Sequence, residues 1–537
     1  MKAFLREHAA ALLLLVPAWF VLFQGLASYD VVNGDEAFYH AVALHMLESG
    51  DPLTLEFRGE PRIYDTFMNA PLQYLWRMAA IAVFGDGLLA MRIHSALFAL
   101  ATIALCYGFG RRLAGETAGL LAALAQLTTF HFVYVHAART GELETAVSLL
   151  LLASAWLFWR FIDSGRGVWW HHACVLAIAN VKAPLWLVAL AAELVAFVVL
   201  PVARPRLRRW LATLAVAAPI GLAWHELQFL RMAGPGWDVA RRMWSEASGS
   251  AQDVVAGGVF GNLEFYFFAL LYGAFPYSLV YPFALIDVLR RARGRLRVAA
   301  VVLALFAAVL LVFHLLVAKH YRWYVVPMSP FLSLLLGVWL AGWAGRRAGK
   351  SLALAVAVAL TGLVIVRVPL ASLNPFALRA LDLPLAPPLR SLFGLPPLYV
   401  APVLLVAFAV AARSALRALG ERSGSIAAAL LAVALVTTGA LRVSFPLQHL
   451  GYRSEMATLR ARIDAARAAG ERIPLPLPVD ARGDFKVRYY FADDFEIVRG
   501  RTLRASGPNE PSPSYWLLAP DDPRARHGSI RRGSAGH

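Results

Sequence analysis

Cysteine is nearly absent: Cys106 and Cys174 are the only two in 537 residues, and both fall inside apolar runs. A disulfide framework and a thiolate metal site are thereby unsupported, and both thiols read as inert core groups. Charge is scarce too, at 16% of residues against 59% apolar, and carboxylates are scarcer than cations, with 34 Asp and Glu against 51 Lys and Arg. That balance, with a mean hydropathy of +0.59, suits a lipid solvent rather than water. The chain also lacks a basic face and any nucleic-acid motif, so its net charge of +17 does not point to nucleic acid. His225-Glu226 lacks the second histidine of a zinc helix, and internal repeats are not evident.

What the chain has in abundance is long apolar runs. Runs of roughly 18 or more residues with few charges each span a ~30 Å hydrocarbon core as a helix. About thirteen such spans are expected, near 9 to 28, 88 to 110, 117 to 137, 143 to 161, 168 to 181, 184 to 201, 209 to 230, 264 to 288, 298 to 317, 323 to 344, 351 to 369, 398 to 412 and 425 to 444. The pair flanking Lys182 can also be read as one broken helix. From Lys2 and Arg6 onward, every second loop is cationic: Arg111-Arg112; Arg160 and Arg166; Arg204 to Arg209; Arg290 to Arg297; Arg346, Arg347 and Lys350; Arg413, Arg417 and Arg422. The positive-inside rule then puts the N-terminus in the cytoplasm and the tail from about 446 outside. The stretch from Ala9 to Leu26 exceeds the apolar core of a signal peptide and is read as a retained first helix. The fold class expected is an all-α polytopic membrane protein. Residues 1–445 form its membrane domain, and 446–537 form a small soluble α/β domain on the extracytoplasmic side.

The first outside loop, residues 29–87, carries the chemistry. It opens with Asp30, Asp35 and Glu36, and Asn33-Gly34 makes a turn that delivers the last two to a helix start. An amphipathic helix is expected from about Glu36 to Glu48, suited to lying in the interface. Ala70 to Phe84 is apolar and aromatic but too short to span, with Pro71 in its first turn, so it is expected along the membrane surface. A helix cap alone would account for Asp35-Glu36. Their company argues for more: Arg139, Glu142 and Glu144, then Lys182, then Lys319, His320, Tyr321 and Arg322 all fall on the same side. Ionisable groups at membrane depth are costly and line cavities or pathways, although any one of them can instead snorkel to the interface.

Several stretches resemble a known family in their order along the chain. They are Asp35-Glu36-Ala37-Phe38-Tyr39 with Met46-Leu47 and Gly50-Asp51; Asn69-Ala70-Pro71-Leu72-Gln73-Tyr74-Leu75-Trp76; Arg92 through Gly110-Arg111-Arg112-Leu113-Ala114-Gly115; Ala138-Arg139 through Glu144; Lys182-Ala183-Pro184; and Tyr324-Val325-Val326-Pro327-Met328-Ser329-Pro330. The chain resembles the polyprenyl-phosphate-sugar-dependent glycosyltransferases of the GT-C fold, especially the bacterial aminoarabinose transferase and protein O-mannosyltransferase-like group. The resemblance implies transfer of a sugar from a polyprenyl-phosphate donor to a lipid, glycan or protein hydroxyl on the outer face of the bacterial inner membrane. Three departures bear on substrate. Members acting on lipid A carry an acidic and a basic residue where this chain has Asn69-Ala70, Glu144 replaces a common aspartate, and Lys-Ala-Pro replaces Lys-Gly-Pro. Aminoarabinose transfer to lipid A is therefore not expected.

The reaction explains the residue types independently. An acceptor hydroxyl loses a proton as it attacks the anomeric carbon, and Asp35, with Glu36 second, is the natural base. The departing polyprenyl phosphate gains negative charge, which Arg139, Lys182, Lys319 and Arg322 can stabilise, with Tyr324 adding a hydroxyl donor. The sugar and acceptor pocket is expected from Tyr39, Asn69, Tyr74, Glu144 and His320. Because Lys and Arg can neutralise the leaving group, no metal or other cofactor is expected. Glu193, His225 and Glu226 stand inside apolar spans, as packing groups or as part of an acceptor pocket.

Residues 231–262, rich in glycine with Trp237, Arg241, Arg242 and Trp244, read as a mobile lid or a linker, and 370–397 as an irregular outer loop. In the tail, Ser454 to Ala469 reads as a capped helix and Phe495 to Val498 and Tyr515 to Leu518 as strands. Two other classes fit a polytopic chain with intramembrane charge: a secondary transporter, whose charges cluster at the midplane of repeated halves, and a non-catalytic protein binding lipid-linked sugars. Clustering at one face favours the enzyme.

Overall fold

The computed structural model describes residues 12, 14–32, 34–57, 60–61, 63–69, 71–231, 258–317, 321–344, 346–365, 397–444, 455–471, 477–479, 496–499 and 515–518. Lys319 and His320, residues 232–257 of the expected lid, and 370–396 of the expected irregular loop lie outside the described residues.

The molecule is a helical membrane bundle. A first helix, α1 (residues 14–22), is followed by α2 (Gly34–Ser49), a short antiparallel pair β1 (Glu56–Phe57) and β2 (Glu60–Pro61), α3 (Ile63–Met68) and α4 (Leu72–Phe84). The bundle continues with α5 (Leu88–Ala114), α6 (Glu116–Leu127), α7 (Phe130–Tyr134), α8 (Glu144–Ser164), α9 (Val168–Ala179), α10 (Pro184–Val199), α11 (Leu207–Gly221) and α12 (Ala223–Arg231). After 258 come α13 (Gly258–Gly273), α14 (Tyr281–Arg291), α15 (Gly294–Leu316), α16 (Ser329–Ala341), α17 (Lys350–Ile365), α18 (Pro397–Ala418), α19 (Ser423–Ser444) and α20 (Glu455–Ala468). In the tail, β3 (Leu477–Val479), β4 (Glu496–Arg499) and β5 (Tyr515–Leu518) form an antiparallel sheet in the order β3-β5-β4.

Among the described residues five helices are long and apolar enough to cross a membrane: Leu88–Ala114, Glu144–Ser164, Gly294–Leu316, Arg322–Ala341 and Gly420–Ser444. The pair Arg204–Gly221 and Ala223–Arg231, bent by 42°, makes a sixth if taken as one span. Several expected spans therefore appear as shorter helices. The run 117 to 137 ends its first helix at Leu127, and the run around Lys182 is interrupted between Ala179 and Pro184.

Small residues set the packing around the bundle centre. A Cβ at Gly110 would meet the Gly119 Cα at 2.9 Å, and one at Gly119 would meet the Tyr107 carbonyl at 2.5 Å, so α5 and α6 touch backbone to backbone. Gly337 of α16 likewise fits against Ala118 and Ala122 of α6. Lipid offers no hydrophobic drive for helix association, so this close approach supplies the dispersion contacts that hold the helices together. α5 ends at Gly115, whose φ of 89° is cheap only for glycine and whose N–H closes on the Arg111 carbonyl at 2.9 Å.

The expectation for α2 needs correcting. The helix does not simply lie on the surface: Glu36, Ala37, Phe38, Tyr39, His40, Val42, Ala43 and Met46 are all buried, so its apolar and polar residues alike are packed into the fold. α4 does bury one face, through Gln73, Tyr74, Arg77, Ala80 and Ile81, and exposes Leu75, Val83 and Phe84 on the other.

Candidate active site

The break between α9 and α10 positions the site's cation. After Ala179 the helix tightens into a turn, with the Lys182 N–H still donating to the Ile178 carbonyl at 2.9 Å, and other groups of the break pair with neighbouring segments. The Ala183 N–H donates to the Met68 carbonyl at 2.8 Å, and the Asn180 carbonyl accepts from the Leu72 N–H at 3.0 Å. Asn180 Nδ2 donates to the Leu176 and Gly221 carbonyls at 2.8 and 2.6 Å. Irregular backbone at membrane depth persists only when paired in this way. Pro184, which cannot donate, restarts the helix at its first position. The break leaves the Lys182 side chain projecting into a cavity.

That cavity, of about 270 Å³, is shared by five segments. α2 supplies Asp35 and Tyr39, α3 supplies Asp65, and Asn69 follows it; the connection into α8 brings His136, Glu142 and Glu144. Lys182 comes from the break, and Tyr321, Trp323 and Tyr324 from the 3-10 turn before α16. Lys182 Nζ lies 2.8 Å from Glu144 Oε1 and 4.6 Å from the centre of the Tyr324 ring, so it is held by a carboxylate and an aromatic face together. Asn69 Nδ2 donates to Asp65 Oδ1 at 2.9 Å. His136 Nδ1 contacts the Glu142 carboxylate, and its ring lies 3.6 Å from that of Trp323, nearly parallel at 5°; Trp323 in turn stacks on Tyr321 at 4.3 Å. His136 has φ 52°, the left-handed region, and is the one such non-glycine residue among those described. Such strain persists where surrounding contacts over-determine it, as the ring stack does here.

Burial, against the pull of Asp35 and Glu144, lowers the His136 imidazole below its usual value, and Lys182 reinforces it. Burial raises the Tyr39 hydroxyl well above its ordinary range, with Asp35 and Asp65 adding to it.

Glu36 and Arg139, two of the expected site residues, do not line the cavity. Glu36, the second candidate base, is fully buried against Arg92, whose Nε and Nη2 reach its two carboxylate oxygens at 3.1 Å each. Its oxygens also accept from the Val32 and Gly141 N–H groups. Arg92 spends its remaining donors on the Leu26, Tyr29 and Asp30 carbonyls at 2.7–3.1 Å. Burial alone would raise the Glu36 carboxyl, but Arg92 and these hydrogen bonds outweigh it and hold the group below its usual value. Arg139, expected at the donor phosphate, is buried and donates to the Val21 and Gln24 carbonyls at 2.9 and 2.8 Å, so it anchors the end of α1 instead. Nη1 and Nη2 of the guanidinium each hold a main-chain carbonyl there, and Arg139 is not among the residues that line the cavity.

The other expected residues divide cleanly. Asp35, Tyr39, Asn69, Glu144, Lys182 and Tyr324 come together around the cavity. Tyr74 stands behind it, edge-on to Tyr39 at 6.1 Å, and Arg322 is half-buried beside the lining residues without joining them. Lys319 and His320 lie outside the described residues. Sequence reading missed Asp65, His136 and Trp323. The first was legible only as an i,i+4 partner of Asn69, the last only as part of the aromatic run Tyr321-Arg322-Trp323-Tyr324, and nothing in the sequence marked His136.

His136, Glu142 and Glu144 also bring one ligand atom each within 4.8 Å of one another, close enough to hold a metal ion, and are the one such group among the described residues. Lys182 already sets its charge against Glu144 without an ion, and the His136 ring contacts Glu142.

With the geometry in place, comparison with known proteins is informative. Residues 69–224 match the family model for dolichyl-phosphate-mannose-protein mannosyltransferase, a stretch that contains α4 to α11 and the Lys182 break. ArnT from Cupriavidus metallidurans bound to undecaprenyl phosphate superposes with a TM-score of 0.60 at 21% identity, over 90% of this chain and 85% of that one. Its apo state gives 0.56 at 20% identity, over 91% and 85%. The arabinosyltransferase EmbB from Mycobacterium smegmatis gives 0.50 at 14% identity, over 88% of this chain and 45% of that one. An uncharacterized protein of Aquifex aeolicus (strain VF5) is 26% identical over 332 residues, 60% of this chain and 62% of that relative, so the match spans less than two thirds of its length. From the bundle, the broken helix that delivers Lys182 and these likenesses together, the chain is a polytopic membrane protein with the GT-C glycosyltransferase fold that ArnT and EmbB share.

Proposed function

We propose that the chain is an integral membrane glycosyltransferase that moves a sugar from a polyprenyl-phosphate donor to a hydroxyl acceptor, with Asp35 as base and Lys182 as the cation at the leaving phosphate. The observation that carries this reading is a single cavity lined by Asp35, Asp65, Asn69, Lys182 and Tyr324 together. It sits within a fold shared with a structure bound to undecaprenyl phosphate.

The acceptor oxygen attacks the anomeric carbon while its proton passes to the Asp35 carboxylate. The new carbon–oxygen bond forms as the bond from that carbon to the phosphate oxygen breaks, and the electron pair departs with the polyprenyl phosphate. The charge gained there meets the Lys182 ammonium, an interaction stronger in the transition state than in the ground state. Glu144 holds that ammonium in place beforehand, so little reorganisation is needed when the charge develops. Asp65 orients Asn69, whose amide suits sugar hydroxyls. One displacement inverts the anomeric centre. The residues Asn69-Ala70 argue for an acceptor other than lipid A, whether lipid, glycan or protein. The cationic loops support catalysis on the outer face of the bacterial inner membrane with a periplasmic tail.

Lys182 makes a divalent cation dispensable in this reading. Transfer of labelled sugar from a synthetic polyprenyl-phosphate donor by the purified chain is the test. Activity that survives EDTA and vanishes in Asp35→Asn is expected. Loss in EDTA restored by added divalent cation would assign His136, Glu142 and Glu144 to metal, and full activity of Asp35→Asn would overturn the base.

A further inference from the structure

A second cavity lies at the far end of the bundle from the first. α16 carries the chain from the 3-10 turn holding Tyr324 toward Arg346 and Arg347, a rise of roughly 20 Å for its 13 residues. There the start of α17, the end of α18 and the turn into α19 enclose about 550 Å³. That lies within the ~300–1,000 Å³ range of small-molecule sites. The segment after Arg346 is pinned in place, with Ala348 N–H donating to Ser423 Oγ at 2.9 Å and Gly424 N–H to the Arg346 carbonyl at 3.0 Å.

Arg347, Lys350, Arg413 and Arg417 all line this cavity, and among the described residues no carboxylate does. Glu421 ion-pairs with Arg347 from the rim, and both side chains are largely exposed. The other walls are small or apolar, including Leu354 and Leu416. Along α18, away from Arg413, Val403, Val406 and Val410 are each more than 60% exposed, an apolar strip that only acyl chains would cover in a bilayer. Cations crowd at a helix end, then, over a lipid-facing stripe.

We propose that this cavity binds the headgroup of an anionic phospholipid, its phosphate held by Arg413, Arg417 and Lys350 and its acyl chains running along the valine face of α18. The pairing of a basic recess with an apolar stripe selects a lipid over a free anion, and the charge excess selects an anionic lipid over a zwitterionic one. On the orientation read from the cationic loops, this is the cytoplasmic leaflet. The site is independent of the transfer cavity, because it shares no residue with it.

Native mass spectrometry of the full-length protein, delipidated in detergent and titrated with cardiolipin, phosphatidylglycerol or phosphatidylethanolamine, tests the assignment. Both anionic lipids are expected to bind in preference to phosphatidylethanolamine. Arg413→Gln with Arg417→Gln should weaken them roughly 25-fold, about fivefold per neutralised cation near a membrane surface. Arg290→Gln with Arg293→Gln, a basic pair elsewhere on the same face, should leave binding unchanged. Equal binding by the two double variants, equal retention of phosphatidylethanolamine, or displacement of the lipid by millimolar inorganic phosphate overturns the proposal. Should the Arg413/Arg417 variant not fold, a photoactivatable phosphatidylglycerol on the wild-type protein decides. Adducts mapping to residues 346–354 and 409–423 support the site, and adducts spread over the bundle refute it.

Discussion

Asp35 and Glu36 are neighbours in sequence with opposite duties. Successive residues on a helix point about 100° apart, so at the start of α2 one carboxylate reaches the cavity while the other enters the core beside Arg92. Mutation separates them. Asp35→Asn should keep the fold and lose roughly 10²–10⁴-fold in turnover, the range of positioned proton transfer, measured with labelled donor against an unchanged thermal melt. Glu36→Gln leaves the buried Arg92 charge uncompensated, and breaking one partner of such a pair costs about 3–5 kcal/mol. Its melting temperature, rather than the chemistry of the folded fraction, should fall. The sign with pH follows from the direction of the Glu36 shift. Its carboxyl is depressed in the folded state, so its contribution is complete above the usual carboxylate range and disappears as pH falls through the folded value. Wild-type melts should therefore drop in that acid window, and Glu36→Gln should flatten that part of the profile. Lys182→Ala should cost roughly 10²–10³-fold, as for loss of one donor to a developing anion.

Elements explain why part of the site was legible and part was not. The acidic turn and the broken helix are properties of spans and interruptions, which hydropathy and proline spacing report directly, and they drew attention to Asp35 and Lys182, whereas Tyr324 was singled out through the family resemblance. Arg139 lies outside the cavity, which the sequence could not report because a cation at a span end looks the same whether it faces a cavity or a stretch of backbone. Only the packing of α1 against the bundle decides that it caps carbonyls. His136 escaped because its left-handed backbone and its stack on Trp323 join residues far apart in sequence. The same logic recasts Glu193. It accepts from His171 Nε2 and Trp210 Nε1 at 3.0 Å each, tying α9, α10 and α11 together inside the membrane, so it is a packing group and no part of the cavity. Glu193→Leu removes the carboxylate that both ring nitrogens meet, leaving only their long mutual contact of 3.5 Å, at about 1–3 kcal/mol for a buried donor deprived of its partner, and should lower the melting temperature while any molecules that fold retain transfer activity. Gly119→Val, which drives methyl groups into Tyr107 and Arg111 of α5, should destabilise by about 1–3 kcal/mol or more.

The whole molecule was legible as a polytopic bundle because composition alone excludes a water-soluble fold, whereas the count of crossings was not, since breaks at Thr128 and Asn180 divide apolar runs that look continuous. Orientation can be tested on the intact protein in sealed vesicles. Cys106 is buried and Cys174 half-buried, so added surface thiols stand out from the native background. With a membrane-impermeant maleimide, Asp51→Cys should label from the outside at once and Arg417→Cys only after permeabilisation. The reverse pattern would invert the topology.

The paired carbonyls and N–H groups between Met68–Leu72 and Asn180–Ala183 work as a clasp. They hinge an extramembrane helix pair to the kink that bears Lys182. On the proposed function, a displacement of α3 and α4 by an incoming acceptor would reach that ammonium through main-chain bonds rather than through flexible side chains. Acceptor and donor binding should then prove coupled, each changing the other's affinity by the same factor, which binding titrations with and without the second substrate would read.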